Sequence, residues 1–321
     1  MFGFLSGGNH PYRKLHLEHQ KQRNFHQGVS SHIFRDYAHP RFDQRKRLDG
    51  LNSHADRKKI AYLGPHGTFT HEAAIRYFGP EEEFISRNTV KDVLYLYKAR
   101  EVKNCVLAIE SSITGIVREN LDELIKIDQG FIVGEILIPV HHHLMAKPGS
   151  DLHRIRVVAG HPVAIEESKI WLRQNLPDVK LETVPSSSMA PIEVSRKRSL
   201  AVAAIASKTA ADLYGLKILA SDIEDIHDNL TRFWVLGRKI QSPAGHDITA
   251  LLVQEDLNAV LCGLIALNIS IISIYERPTT ERSGGHFYLL EVGGHAMENP
   301  MDLFLKKFAK IRLLGSYPGK Y

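Results

Sequence analysis

The chain has 321 residues, 43% hydrophobic and 24% charged, the make-up of a globular protein with room for more than one domain. It has no run of 18 apolar residues, which excludes a helical membrane span, and Cys105 and Cys262 form neither a Cys-x-x-Cys pair nor a metal spacing, which points to a reduced, cytoplasmic protein. The net charge of +5 is uneven: residues 1–59 hold 12 Lys and Arg against 5 Asp and Glu, so the remainder is slightly acidic and nucleic-acid binding by the folded body finds no support.

Residues 1–57 lack sustained periodicity and are rich in His, Gln, Arg and Asn. They are expected to form a basic, largely disordered extension with short helices around Lys14–Phe25 and Ser31–Tyr37. Phe2-Gly3-Phe4-Leu5 is too short an apolar core for a secretory signal. From Lys58 the pattern changes. Ile60–Leu63 reads as a strand, Gly64–Thr70 as a loop, and His71–Phe78 as a helix stopped by Gly79-Pro80. Cys105–Ile109 is a strand, Glu110–Gly115 a loop and Ile116–Ile127 a helix. Arg156–Ala159 is a strand, and Pro162 opens a helix to about Asn175. Leu181–Val184, Met189–Arg198, Ala201–Ile205 and Lys208–Tyr214 continue the alternation of strand and helix. This predicts an α/β body with mainly parallel sheet. Gln241–Gly245 reads as a linker, and residues 247–321 give strand, helix, two strands, helix, strand, the order of a ferredoxin-like α+β domain. The expected divisions are 1–57, 58–240 with a second lobe at about 138–214, and 246–321.

In open parallel sheets ligands bind beyond the carboxyl ends of the strands, where helix N-termini favour anions. Gly64–Thr70 lacks both the P-loop Lys-Ser/Thr pair and the Gly-x-Gly-x-x-Gly fingerprint, so it suits a carboxylate better than a triphosphate. Glu110 follows an apolar strand and needs a partner, and Ser111, Ser112 and Thr114 add hydroxyls. Thr231-Arg232-Phe233 joins a neutral donor, a carboxylate-binding guanidinium and a ring at the mouth of a strand. His141 and His143 would share one face of a strand, but no third ligand at a fixed spacing is visible, so no metal is expected.

Together these segments resemble a known family. Gly64-Pro65-x-Gly67-Thr68-Phe69-Thr70-x-x-Ala73-Ala74, Ile109-Glu110-Ser111-Ser112-x-x-Gly115-x-Val117 and Thr231-Arg232-Phe233 resemble the ordered signatures of prephenate dehydratase. Ala203–Ser207 and Tyr214-Gly215-Leu216 fit the same frame, and the C-terminal part is similar to the ACT regulatory domain of that family. The resemblance covers residues 58–321. It implies two α/β lobes around a cleft, resembling periplasmic binding proteins, followed by the ferredoxin-like ACT domain. It implies loss of CO2 and hydroxide from prephenate to give phenylpyruvate for phenylalanine synthesis, without cofactor or metal. Thr231 maps onto the family's essential threonine, the donor to the leaving hydroxyl. Arg232 would orient a carboxylate, directly or through the loop architecture, and Phe233 would pack the cleft, with Glu110 and Ser111 in the same catalytic group. Thr68, Phe69, Thr70, Ser112, Gly160, Ser187 and Ser188 would bind substrate. The family's ACT domains pair between subunits around phenylalanine, which implies a homodimer or homotetramer and an effector site at Asn258, Ala259, Val260, Tyr275, Glu276, Arg277 and Pro278.

The chain also departs from the family pattern. Ser111 stands where the family has Asn, Gly160 where it has Ser, and Glu166 or Glu167 where it has Gln. Asn258 replaces a Gly, and the following helix is expected to be about one turn short. The loops do not distinguish prephenate from arogenate, which stays an alternative substrate, and the departures leave a weakened amino-acid-binding regulatory relative as an alternative role. Ile33–Asp36 is similar to the last helix of a chorismate mutase domain, but the segment is too short for that unit.

Overall fold

The computed structural model describes residues 57–254, 256–278 and 285–320. The expected N-terminal extension and its chorismate-mutase-like stretch lie outside them. The first lobe opens with β1 (Lys59–Leu63), α1 (Phe69–Phe78), β2 (Glu83–Arg87), α2 (Val90–Lys98), β3 (Asn104–Ser111), β4 (Gly115–Ile116), α3 (Arg118–Ile125) and β5 (Phe131–Pro139). The second holds β6 (His143–Ala146), β7 (Val157–Gly160), α4 (Pro162–Glu167), α5 (Lys169–Asn175), β8 (Lys180–Thr183), α6 (Met189–Arg196), β9 (Val202–Ala206), α7 (Lys208–Tyr214) and β10 (Lys217–Ala220). The chain then returns to the first lobe as β11 (Leu230–Gly237). The C-terminal part is β12 (Asp247–Val253), α8 (Leu257–Ala266), β13 (Ile271–Pro278), β14 (His286–Gly293), α9 (Met301–Lys307) and β15 (Arg312–Pro318).

In the first lobe β1 pairs in parallel with β2 and β3, while β11 runs antiparallel between β3 and β5. In the second, β7 pairs in parallel with β8 and β9, and β6 and β10 close the sheet antiparallel. The alternating α/β pattern is therefore present, with a returning strand that local sequence does not announce. That strand also explains β3. Glu110 and Ser111, expected in a loop, extend it because they pair with Arg232 and Thr231 of β11. The helix expected to run from Pro162 to Asn175 breaks at the buried Ser168. There the Asp225 carboxylate accepts the N–H groups of Ile170 (3.0 Å) and Trp171 (3.2 Å) and starts α5 afresh.

Residues 247–320 show the ferredoxin-like order, with strands arranged β13-β14-β12-β15. One face of this sheet packs on α8 and α9 through Leu251, Val260, Leu264, Leu290 and Phe304. The other face packs on the first lobe, where Ile248, Leu252, Leu289 and Tyr317 join Leu121, Leu124 and Trp234. The sheet also continues directly into the first lobe, because β15 pairs in parallel with β5 at Gly315 and Ile132. A Cβ on Gly315 would lie 2.1 Å from the Ile132 carbonyl oxygen, so only glycine permits this approach.

The chain crosses between lobes twice, at residues 140–142 and 221–229. The crossings are tied by Val140 N–H to Asn229 O and Ile223 N–H to His142 O, both 2.8 Å. Across the cleft, Tyr214 donates to His66 O (2.7 Å) and Ser207 to Gly67 O (3.1 Å). Gly67 has φ +86°, and its position against Ala210 leaves no room for a larger residue without displacement.

Candidate active site

The cleft is a cavity of about 310 Å³ between the lobes, of the size that holds a small ligand. Its first-lobe wall carries Thr68, Phe69, Thr70, Ser111, Thr114, Thr231 and Phe233. Its second-lobe wall carries His161, Val163, Ala164, Glu167, Ser186 and Ser187, and His142 and Asn229 come from the crossings. The first turn of α1 and the residues just before α6 border it, so backbone N–H groups and helix dipoles favour an anion there. The lining includes no Lys or Arg among the described residues. Anion binding therefore falls to N–H groups, hydroxyls and imidazoles.

Strand alternation decides which expected residues reach this cavity. On β11, Thr231 and Phe233 face it. Thr231 is half-buried, and its hydroxyl makes no hydrogen bond among the described residues. On β3, Ser111 reaches the cavity. Its Oγ donates to Asn229 Oδ1 at 3.2 Å, which commits the hydroxyl proton to a neighbour. Thr68 is the N-cap of α1, accepting the His71 N–H at 3.3 Å, while Thr70 in the first turn has its hydroxyl unpaired among the described residues. Ser187 lines the wall as expected.

Arg232 does not. It lies on the opposite face of β11, 5% exposed, among buried groups of the first lobe and the C-terminal sheet. Its Nε donates to Glu135 Oε2 (2.7 Å), its Nη1 to Glu291 Oε2 (2.7 Å), and its Nη2 to Glu291 and to the Tyr317 hydroxyl (3.1 Å). The expectation that Arg232 holds a substrate carboxylate directly is corrected, because its fork is filled by two protein carboxylates; any orienting effect runs through the strand it shares with Thr231. Glu110, opposite Arg232 in the register, also turns away and accepts from the Tyr275 hydroxyl at 3.1 Å. Burial raises its carboxyl above the usual carboxylate range, against the lowering effects of Tyr275 and Arg232. Three further expected substrate contacts lie outside the lining. Ser112 accepts the Leu230 N–H (2.9 Å) and fastens β3 to β11. Ser188 is fully buried at the start of α6. At Gly160 the space of the family's serine side chain is occupied, since a Cβ there would lie 3.0 Å from Ile165 Cγ1.

The structure adds a chain of polar side chains that sequence reasoning missed or left undecided. His142 Nε2 lies 2.8 Å from Glu167 Oε2, Asn229 Nδ2 donates to Glu167 Oε1 (3.3 Å), and Asn229 Oδ1 accepts from Ser111. The carboxylate accepts, so the His142 proton sits on Nε2. Its Nδ1 is buried without a partner among the described residues. Of the two glutamates that could stand in for the family's Gln, Glu167 lines the cavity. Burial pushes the His161 imidazole below its ordinary value. Its Nδ1 accepts the Val163 N–H (3.3 Å), which leaves Nε2 as a neutral donor.

The expected effector residues divide. Asn258 and Ala259 are exposed in the first turn of α8, where Asp256 Oδ1 accepts their N–H groups at 3.0 and 3.3 Å, while Val260 is buried. Tyr275 and Arg277 turn toward the first lobe, Arg277 gripping Asp122 at 2.7 and 2.6 Å. Glu276 pairs with His286, and Pro278 ends β13 on an exposed position.

Two lobes, two crossings and a cleft at the strand ends define a two-lobed α/β protein whose cleft suits a small anion. Residues 60–241 match the family model described as prephenate dehydratase, and the chain belongs to this family. It is 31% identical over 303 residues to the bifunctional chorismate mutase/prephenate dehydratase of Aquifex aeolicus, covering 92% of this chain and 80% of that one. Among solved structures it is similar to prephenate dehydratase in complex with L-Phe from Arthrobacter aurescens, with TM-score 0.75 and 27% identity over 81% of this chain and 90% of that one. It is also similar to GqqA, described as a novel type of quorum quenching acylase, with TM-score 0.73 and 25% identity over 82% and 98%.

Proposed function

We propose that the cleft catalyses the decarboxylating dehydration of prephenate to phenylpyruvate, CO2 and water. The observation that carries this reading is Thr231: a family-signature threonine whose hydroxyl points into an anion-favouring cavity with no protein partner among the described residues. The ring carboxylate leaves as CO2, and its bonding electrons enter the ring as the C–OH bond breaks. The departing hydroxide takes up a proton and becomes water. Aromatisation drives the step, so positioning and a donor to the leaving oxygen suffice. Thr231 supplies that donor, Phe69 and Phe233 exclude water, and the first turn of α1 faces a carboxylate. Glu167 is tolerable beside a dianion because His142 and Asn229 both direct protons at it.

Acyl transfer by the same cleft would need a nucleophile bonded to a base. Ser186 and Ser187 line the wall, but neither hydroxyl is hydrogen-bonded to His142 or His161 among the described residues. Dehydration is thus the better-supported reading. In it, residues 58–240 carry the chemistry and 246–321 the regulation, in a cytoplasmic homo-oligomer that takes phenylalanine as effector. Exposed Ile272 and Ile274 on the edge strand β13 support association.

The test is Thr231→Ala in a phenylpyruvate assay with prephenate, run beside arogenate. Turnover should fall roughly 10²–10⁴-fold, with Thr231→Ser retaining much more. Near wild-type turnover by Thr231→Ala would remove the assignment.

A further inference from the structure

A second cluster of titratable side chains lies on the two crossings. His141 comes from the first crossing, and Asp222, Glu224 and His227 from the second. His141 Nδ1 is 2.8 Å from Glu224 Oε1 and 3.5 Å from Asp222 Oδ1, and His227 Nδ1 is 3.5 Å from the same Glu224 oxygen. The ligating atoms of His141, Asp222 and Glu224 all lie within 4.8 Å of one another. One Nδ1 proton on His141 accounts for the shortest of these distances and leaves the convergence of the other two groups unexplained.

The cluster is held from behind and open in front. Glu224 has a side chain 2% exposed, and its Oε2 accepts the His142 N–H at 2.8 Å, which fixes the direction of Oε1. Burial opposes its charge, yet the bonds from His141 and the His142 N–H hold its carboxyl below the usual range. The His143 ring accepts the Asp222 N–H (3.2 Å) and so positions Asp222. The side chains of His141, Asp222 and His227 are 45%, 55% and 67% exposed, so an ion reaches them without unfolding. Tetrahedral bonds of about 2.0–2.2 Å place ligand atoms roughly 3.4 Å apart. The 3.5 Å between His141 Nδ1 and Asp222 Oδ1 already matches, and the 2.8 Å between His141 Nδ1 and Glu224 Oε1 opens by small side-chain rotations. Imidazole nitrogen with carboxylate oxygen suits zinc, cobalt or manganese.

We propose that His141, Asp222 and Glu224, with a water as fourth ligand, form a divalent transition-metal site that staples the two inter-lobe crossings. Binding displaces the His141 Nδ1 proton to solvent. The ion then links one crossing to the other, independently of what the cleft turns over.

The experiment uses the full chain, stripped with chelator, and titrates zinc by calorimetry and cobalt by visible absorption. Because other histidines also bind metal, the quantity compared is the difference between wild type and Asp222→Asn or His141→Ala. Asp222 has φ +52°, a conformation that Asn shares, so Asp222→Asn keeps the backbone and removes only the charge. Wild type should bind one ion more than each variant, or the same ion at least about tenfold more tightly. It should also show cobalt d–d bands that the variants lose, and a zinc-dependent rise in melting temperature that they lack. Identical stoichiometry, affinity and spectra in wild type and Asp222→Asn would overturn the site.

Discussion

Arg232→Met separates two roles for the central residue of the Thr-Arg-Phe signature. The substitution keeps the length and apolar stem of the side chain and removes its charge. In the structure this strands two carboxylates, Glu135 at 2% and Glu291 at 0% exposure, which share the one guanidinium. Breaking a buried pair by removing one partner costs about 3–5 kcal/mol. For a body of this size each kcal/mol moves the melting temperature by roughly 2–4 °C, so a loss on the order of 10 °C is expected. The neighbouring Thr231 shares the same backbone, so turnover should fall with little change in KM. Adding Glu291→Met should recover part of the melting temperature, because an apolar pair replaces a stranded charge, while Glu135 remains uncompensated. Differential scanning calorimetry and steady-state kinetics with prephenate measure both quantities. An unchanged melting temperature with a tenfold or larger rise in KM would refute this account and return Arg232 to the substrate.

Three other outcomes are expected. Glu167→Gln removes the carboxylate that accepts from His142 and Asn229; a roughly two- to tenfold change in KM for the dianion, read by initial rates, is expected at unchanged melting temperature. Burial, with His66 nearby, lowers the His71 imidazole from 6.5 to about 4, so its contribution to stability is present above pH 6.5 and is lost as pH falls toward 4; chemical denaturation of wild type and His71→Gln across that window should show a steeper loss in wild type. Phenylalanine should inhibit weakly, because Asp256 already caps the N–H groups of Asn258 and Ala259 and because Tyr275 and Arg277 are engaged with Glu110 and Asp122; calorimetric titration showing micromolar affinity with strong inhibition would contradict this.

The sequence was most legible where local signals sufficed. Phe78 followed by Gly79-Pro80, and Tyr214 followed by Gly215, mark helix ends that the structure repeats. The order of elements from Asp247 to Pro318 also follows directly from periodicity. Legibility failed where strands meet across long separations. The pairing of Thr231 with Ser111 spans 120 positions and turns an expected loop into strand. Three consecutive residues of one strand cannot all face one cleft, so the period of two already implied that Arg232 and Thr231 point apart. His142 and Asn229 carried no motif. They matter because both crossings pass beside Glu167, which only the folded chain reveals.

The parallel contact of β15 with β5 has a consequence for enzyme engineering. Here β5 pairs along its length with β11, and β15 meets it at Ile132. Truncation after Gln241 would remove this contact together with Ile248, Leu252, Leu289 and Tyr317, and would expose the first-lobe core residues Leu121, Leu124 and Trp234 that pack on them. Under the regulatory reading proposed above, deregulation is therefore better sought by point substitution on the outer face of β13 than by shortening the chain.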